Sequence, residues 1–305
     1  MGPIGSLDAT WKQLRRRLPP TLASGADDLP AQLGLTRSGE GWDAFLRTAP
    51  NRDLPLFALD GVEGDPDTLT RESRARYTEA HHLAAMFGLV ADRLEDAQVE
   101  KAPSLVAFRQ YFLREWAAVL SAACGSAEFA RGAIARDLRL WRRASAVERS
   151  AFVSGQLSVD AYARLTESKL RWVSTSSAVL LHTHTDARRG EAFVAANALF
   201  LRALQCRDDA FDEAEDRHTR GRSFPEMIGL PAGGFVRAAV SLVGQAAVVA
   251  RAARFGALAD WLERYVTEID VRLPGGHPLQ DEMAGMIIAD ASPTLDSDWQ
   301  TCPHG

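Results

Sequence analysis

From residue 69 to residue 271, apolar side chains recur every three or four positions in seven stretches, at 69–98, 104–124, 127–145, 158–185, 190–217, 233–253 and 256–271, with no alternating run of any length. A period near 3.6 without a period of two leaves helices as the regular structure able to bury these residues together. The stretches are rich in Ala, Leu and Arg, which lose little on entering a helix. The chain is therefore expected to be all-α, a helical bundle. Residues 1–70 are punctuated by Pro19-Pro20, Ser24-Gly25, Pro30, Pro50, Pro55 and the run from Gly61 to Pro66, which cuts them into short helices and loops. Residues 272–305, with Pro274, Gly275, Gly276, Pro278 and Pro293, read as a loose tail with one short helix around 279–289. The expected organisation is one all-α domain over 1–271 followed by that tail.

The most pointed local feature is the segment QCRDDAFDEAEDRHTRGR at 205–222. Residues four apart drift only slightly around a helix, so Asp208, Asp212 and Asp216 stack in a row, with Asp209 beside them. Upstream on the same stripe lie Leu204, Leu201, Asn197 and Phe193, with Phe211 just after Asp208. The carboxylates thus continue a mostly apolar face and are expected to point inward. Carboxylates crowded in a partly desolvated place neutralise or recruit cations, and oxygen-only ligands suit Mg²⁺ shared with substrate phosphates. The plainer alternative is a solvated acidic face. A second cluster, Asp92, Glu95 and Asp96 in LVADRLEDAQ, ends a stripe carrying Ala84, Ala85, Gly88 and Leu89. Two such helices can face each other and hold cations above an apolar cavity, a polarity that suits a diphosphate joined to a hydrocarbon.

Charge and cysteines narrow the partners. A formal net charge of −5 gives no electrostatic reason to expect nucleic acid. Cys124, Cys206 and Cys302 are odd in number and widely spaced, against both a disulfide framework and a zinc site, so a reducing cytoplasm is expected. No apolar run resembles a signal peptide or approaches the ~18–20 residues of a membrane span.

With both acidic clusters in view, the chain resembles the trans-isoprenyl diphosphate synthases and the class I terpene synthases over roughly residues 50–225. The resemblance implies the isoprenoid synthase fold, helices around a central cavity. The family's second aspartate-rich motif, DDxxD with a preceding glutamine, a further Asp and a following Gly-Lys, is matched by Gln205, Asp208, Asp209, Asp212, Asp216, Gly221 and Arg222. The first motif survives at Asp92 and Asp96, while Arg93 replaces its second Asp. Lys169 falls where the family has a lysine on the allylic diphosphate, and Lys101 keeps the first basic position of a triplet used there. The resemblance implies Asp92, Glu95, Asp96, Asp208, Asp209, Asp212 and Asp216 as metal residues, Asp92, Asp96, Asp208 and Asp212 being catalytic. It further implies three Mg²⁺ ions bound with the diphosphate, and diphosphate contacts from Lys101, Lys169, Gln205 and Arg222.

The departures are as informative. The chain-elongating members grip isopentenyl diphosphate with basic residues at positions that here are Asn51, Leu54 and Ala102, with Arg52 surviving between the first two. This reads as one substrate, an allylic prenyl diphosphate, cyclised after ionisation to a terpene hydrocarbon or alcohol. Small residues at Ala84, Ala85 and Gly88 suit a C15 or C20 chain, and aromatic faces at Phe87, Tyr111, Phe112, Phe200 and Phe211 are the candidates to line its cavity, although such rings also serve as plain core. Two alternatives stay open: a prenyltransferase, either an unusual elongator or one using another acceptor, and a weakly active subunit regulating an active synthase. A homodimer is carried forward as the oligomer.

Overall fold

The computed structural model describes residues 6–46, 54–62 and 69–268. All regular structure among them is helical. In chain order the helices are α1 (Leu7–Arg15), α2 (Pro20–Ala23), α3 (Leu29–Gln32), α4 (Trp42–Leu46), α5 (Leu54–Val62), α6 (Arg71–Glu95), α7 (Pro103–Cys124), α8 (Ala127–Ser154), α9 (Val159–Leu170), α10 (Thr175–His184), α11 (Ala187–Phe211), α12 (Glu213–Arg220), α13 (Phe224–Ile228), α14 (Ala232–Ala252) and α15 (Gly256–Glu268). The expected tail, its short helix, Cys302, Asn51 and Arg52 lie outside the described residues.

Contacts divide the chain into two compact units, the first comprising Met1–Ile134 with Thr175–His184, the second Ala135–Ser174 with Thr185–Gly305. In the first unit α6 and α7 pack along each other and α10 packs on α5, α6 and α7. Its core is strongly aromatic. Trp11 lies 6.1 Å from Trp42 and 5.7 Å from Phe112, edge-on in both cases, and Phe108 stacks on Phe112 at 6.0 Å. The fully buried Trp116 satisfies its indole by donating to Ser176 Oγ at 3.0 Å, which fixes α10 against α7. Thr10 Oγ1 and His82 Nδ1, both buried, lie 2.7 Å apart and join α1 to α6.

In the second unit α14 lies along α11 and α15. Its buried Gly234, Ala238, Ala239, Ala246, Ala247 and Ala250 form a smooth face that lets the backbones approach closely. α14 is also long and apolar enough by composition to cross a membrane, but half of its apolar window is buried inside the protein. No clear membrane span is present among the described residues. Tyr162 on α9 is fully buried, with its ring 5.5 Å from Phe224 and 5.2 Å from Phe235.

Two expected helices are interrupted. The stretch 158–185 breaks at a 3-10 turn, Arg171–Ser174, between α9 and α10. The sequence there, Arg-Trp-Val-Ser-Thr-Ser-Ser, joins aromatic and β-branched residues to hydroxyl side chains that compete for backbone hydrogen bonds, so propensity is at its weakest. The stretch 190–217 ends at Phe211 and restarts at Glu213, with Asp212 between. The 127–145 stretch instead runs on to Ser154 as α8. At the start of α11, Asp186 caps the helix by accepting from Arg189 N at 2.8 Å. Asp186→Ala is expected to lower stability by about 1 kcal/mol, seen as a lower melting temperature with unchanged helical content at low temperature.

Candidate functional site

The first acidic cluster closes α6. Asp96 caps the helix, its N–H bonding Asp92 O at 2.9 Å, and Ala97 follows at φ 54°, which lets Gln98 N reach back to Arg93 O at 3.1 Å. This left-handed residue reverses the chain after the last turn and holds Asp92 and Asp96, both half-buried, at the same end of the helix. Glu95 is exposed and 3.5 Å from Arg109 of α7, a surface pair of little energetic weight. Lys101 is exposed just before α7, and Ala102 caps that helix ahead of Pro103. Of the small residues upstream, Gly88 is buried and Ala85 half-buried.

The second cluster spans α11 and α12. Although Asp212 interrupts the helix, the spacing survives: Asp212 N bonds Asp208 O at 2.9 Å and Asp216 N bonds Asp212 O at 2.8 Å. Asp208, Asp212 and Asp216 therefore still stand one turn apart. They do not point inward as expected, since Asp208 and Asp212 are exposed and Asp216 half-buried. The stripe is buried at Phe193, Asn197 and Leu201, half-buried at Leu204, and leaves the core one turn later. Crowding by protein on one side nevertheless raises the Asp208 carboxyl above its ordinary range, and the neighbouring Asp212 charge raises it further. Partial burial does the same at Asp212, with Glu215 adding to it. At Asp216 burial again leads, and Arg220 opposes it.

Asp209 is the carboxylate that turns in. It is 5% exposed, with Oδ2 accepting from the Tyr162 hydroxyl at 2.5 Å and Oδ1 from Gln205 Nε2 at 2.8 Å. Burial pushes it up to about 7 despite both hydrogen bonds. Both oxygens are thus committed to protein donors, so Asp209 ties α11 to α9 rather than standing in the exposed row. Gln205 is likewise spent on Asp209. Beneath them, burial pushes the Cys206 thiol up to about 12, which leaves it inert as a nucleophile.

Basic residues gather beside the row. Lys169, at the end of α9, is 2.8 Å from Glu148 of α8, and its charge favours ionisation of both Asp208 and Asp209. Arg220 is 3.3 Å from Glu148 and 3.4 Å from Asp216. The Arg222 guanidinium lies over Gly155, so closely that any side chain at 155 would displace it; Gly155 also holds φ +72°, a conformation glycine adopts without strain. The second unit thus brings Lys169, Asp208, Asp209, Asp212, Asp216 and Gln205 to one end of α11.

The aromatic candidates separate. Phe87 lies 6.0 Å from Trp116, and Phe112 is enclosed by Trp11, Trp42 and Phe108. Tyr111 is buried at 3%, with the Arg114 guanidinium 5.2 Å from its ring. Phe200 packs edge-on to Trp261 and Tyr265 at 5.1 and 5.4 Å. Phe211 is 63% exposed, with Arg207 5.4 Å from its ring, and does not line an interior. It lies one turn past the point where the α11 stripe surfaces.

Glu148, Arg220 and Tyr162 were not singled out from sequence. Glu148 carried a usable signal, because it shares a stripe with the buried Trp141, Ala144 and Ala151, and a charge among such residues calls for a partner. Arg220 and Tyr162 gave none, since their importance lies in which helix they meet.

The row's donors are of the oxygen type that Mg²⁺ takes. The row offers carboxylate oxygens on successive turns with depressed tendency to ionise unaided, and Mg²⁺ is commonly held by one or two carboxylates, waters and substrate phosphates. Among the described residues no three ligand-type side chains converge on a ready-made cage. Compared with family models, curated proteins and solved structures, the chain matches none.

Proposed function

We propose that the chain is a class I terpene synthase of the isoprenoid synthase fold, acting in the cytoplasm on one allylic prenyl diphosphate of C15 or C20 length. The observation that carries this reading is the junction of α11 and α12, where the exposed row Asp208, Asp212 and Asp216 stands beside Lys169 and Arg220. Acidic ligands and cations side by side suit a metal-bound diphosphate. The matched order from Gln205 to Arg222 adds the motif-level support.

In this reading Asp208, Asp212 and Asp216 would hold Mg²⁺ together with the diphosphate, and the match to the first aspartate-rich motif makes Asp92 and Asp96 candidates for further metal ligands. Mg²⁺ held there would neutralise charge on the departing pyrophosphate. Lys169 and Arg222 would bind its oxygens, stabilising the negative charge as the carbon–oxygen bond breaks, and Lys101 is a further candidate from the motif match alone. Asp209, whose oxygens accept from Tyr162 and Gln205, fixes α11 against α9 beside Asp208. The allylic cation left behind is attacked by double bonds of its own chain, then loses a proton or captures water.

Elongation is disfavoured by the isopentenyl positions that are described. Leu54 is fully buried in α5 and Ala102 caps α7, so neither can grip a diphosphate. Charge-assisted contacts of this kind contribute about 1.5–3 kcal/mol each, and two are lost. Incubation with C10, C15 and C20 allylic diphosphates and Mg²⁺, with and without isopentenyl diphosphate, tests both points by mass analysis and pyrophosphate release. Cyclic or eliminated products and pyrophosphate are expected from one allylic substrate alone, and isopentenyl diphosphate should neither lengthen the product nor raise the rate. Recovery of a longer linear diphosphate would replace this reading with a prenyltransferase, and no release from any substrate would favour the regulatory subunit.

A further inference from the structure

Glu148 is 6% exposed on α8, and its two oxygens are divided between cations from different helices. Oε2 lies 2.8 Å from Lys169 Nζ of α9, and Oε1 lies 3.3 Å from Arg220 Nη1 of α12. Arg220 is fixed further: its Nε is 3.4 Å from Asp216 Oδ1, and its guanidinium stands 5.1 Å from the ring centre of Phe152, one turn along α8 from Glu148. The Lys169 side chain is 13% and that of Arg220 32% exposed, so Arg220 is the more accessible of the two cations. The arrangement is that of an oxyanion bridging two cations, with the protein supplying the oxyanion.

We propose that Glu148 is a resident counter-ion, occupying the Lys169–Arg220 pair until a diphosphate-class anion takes over those cations, and that Arg220 is thereby a further diphosphate-binding residue. The ligand class rests on the proposed function; the counter-ion itself rests on the geometry of the three side chains. Glu148 and Lys169 with Arg220 sum to one positive charge, and neutralising Glu148 makes it two. At an effective dielectric of about 20, one unit charge about 6 Å from a bound anion changes its affinity by more than tenfold at low ionic strength, so tenfold is a lower bound. The sign is diagnostic. If Glu148 merely braced α8 against α9 and α12, its loss would loosen the cations and weaken anion binding.

The test is calorimetric titration of the full chain with inorganic pyrophosphate at low ionic strength without metal, on the wild type, E148Q, R220A and the double variant, with melting curves alongside. E148Q is expected to bind at least about tenfold tighter, R220A about tenfold weaker, and the double variant to lose most of the E148Q gain. Unchanged or weaker binding by E148Q, or no binding to any of the proteins, overturns the proposal. Should E148Q fail to fold, R220A decides alone, and affinity equal to wild type overturns it. A parallel assay of wild-type turnover with Mg²⁺ and allylic diphosphates separates the two readings. Turnover without an E148Q gain sinks the counter-ion alone, whereas the gain without turnover upholds the anion site and sinks the terpene synthase.

Discussion

Asp208→Ala is expected to cut Mg²⁺-dependent pyrophosphate release by at least about a hundredfold while leaving the melting temperature equal to wild type or slightly higher. The two halves of this result have one cause. Asp208 opens a row of carboxylates one turn apart, and its carboxyl is pushed up by crowding and by Asp212. In the metal-free protein its charge therefore opposes its neighbours, and deletion relieves that opposition. On the proposed function the same charge would be a cation ligand, and deletion would remove a group that the departing pyrophosphate depends on. Because the side chain is exposed, truncation leaves no core cavity. Activity equal to wild type in saturating Mg²⁺ would reduce the row to a solvated acidic face.

Asp209→Asn, one residue away, is expected to do the opposite to stability and to show it through pH. The Asp209 pKa in the folded protein is about 7, against 3.8 for the free side chain. The folded state thus holds the proton more tightly than the unfolded state. Stability from this group is fully present below about pH 4 and is lost as pH rises through about 7. At about 1.4 kcal/mol per unit, the full loss is on the order of 4 kcal/mol above pH 8. Asparagine keeps the shape, can accept from the Tyr162 hydroxyl and has no charge to bury. The variant is expected to match wild type near pH 4 and to exceed it by several kcal/mol near pH 8 in denaturant unfolding. Parallel pH profiles for the two proteins would mean that Asp209 is accommodated as an anion at neutral pH.

The pair Asp208 and Asp209 marks the boundary of what was legible in the chain. Adjacent residues on a helix point about 100° apart, so one of two neighbouring aspartates had to differ from the other. The stripe through Phe193, Asn197 and Leu201 assigned the inward direction to Asp208. A small drift of the stripe over the following two turns gave it to Asp209 instead, because Tyr162 and Gln205 stand there to receive it. Phe211 went outward by the same drift. Leu54 shows the converse: its apolar character was readable in the chain, but its complete burial was not.

The sequence by itself determined that the described chain is helical, where most helices run, and that carboxylates recur at one-turn intervals in 208–216, because helical period and propensity act over a few residues. The tertiary structure alone decided which carboxylate is buried, that Glu148 joins Lys169 to Arg220, and that Gly155 makes room for Arg222. These depend on residues 21 to 72 positions apart in sequence meeting in space. The burial and charge balance that set their protonation arise only when separate helices close around them, and no local pattern encodes which helices those are.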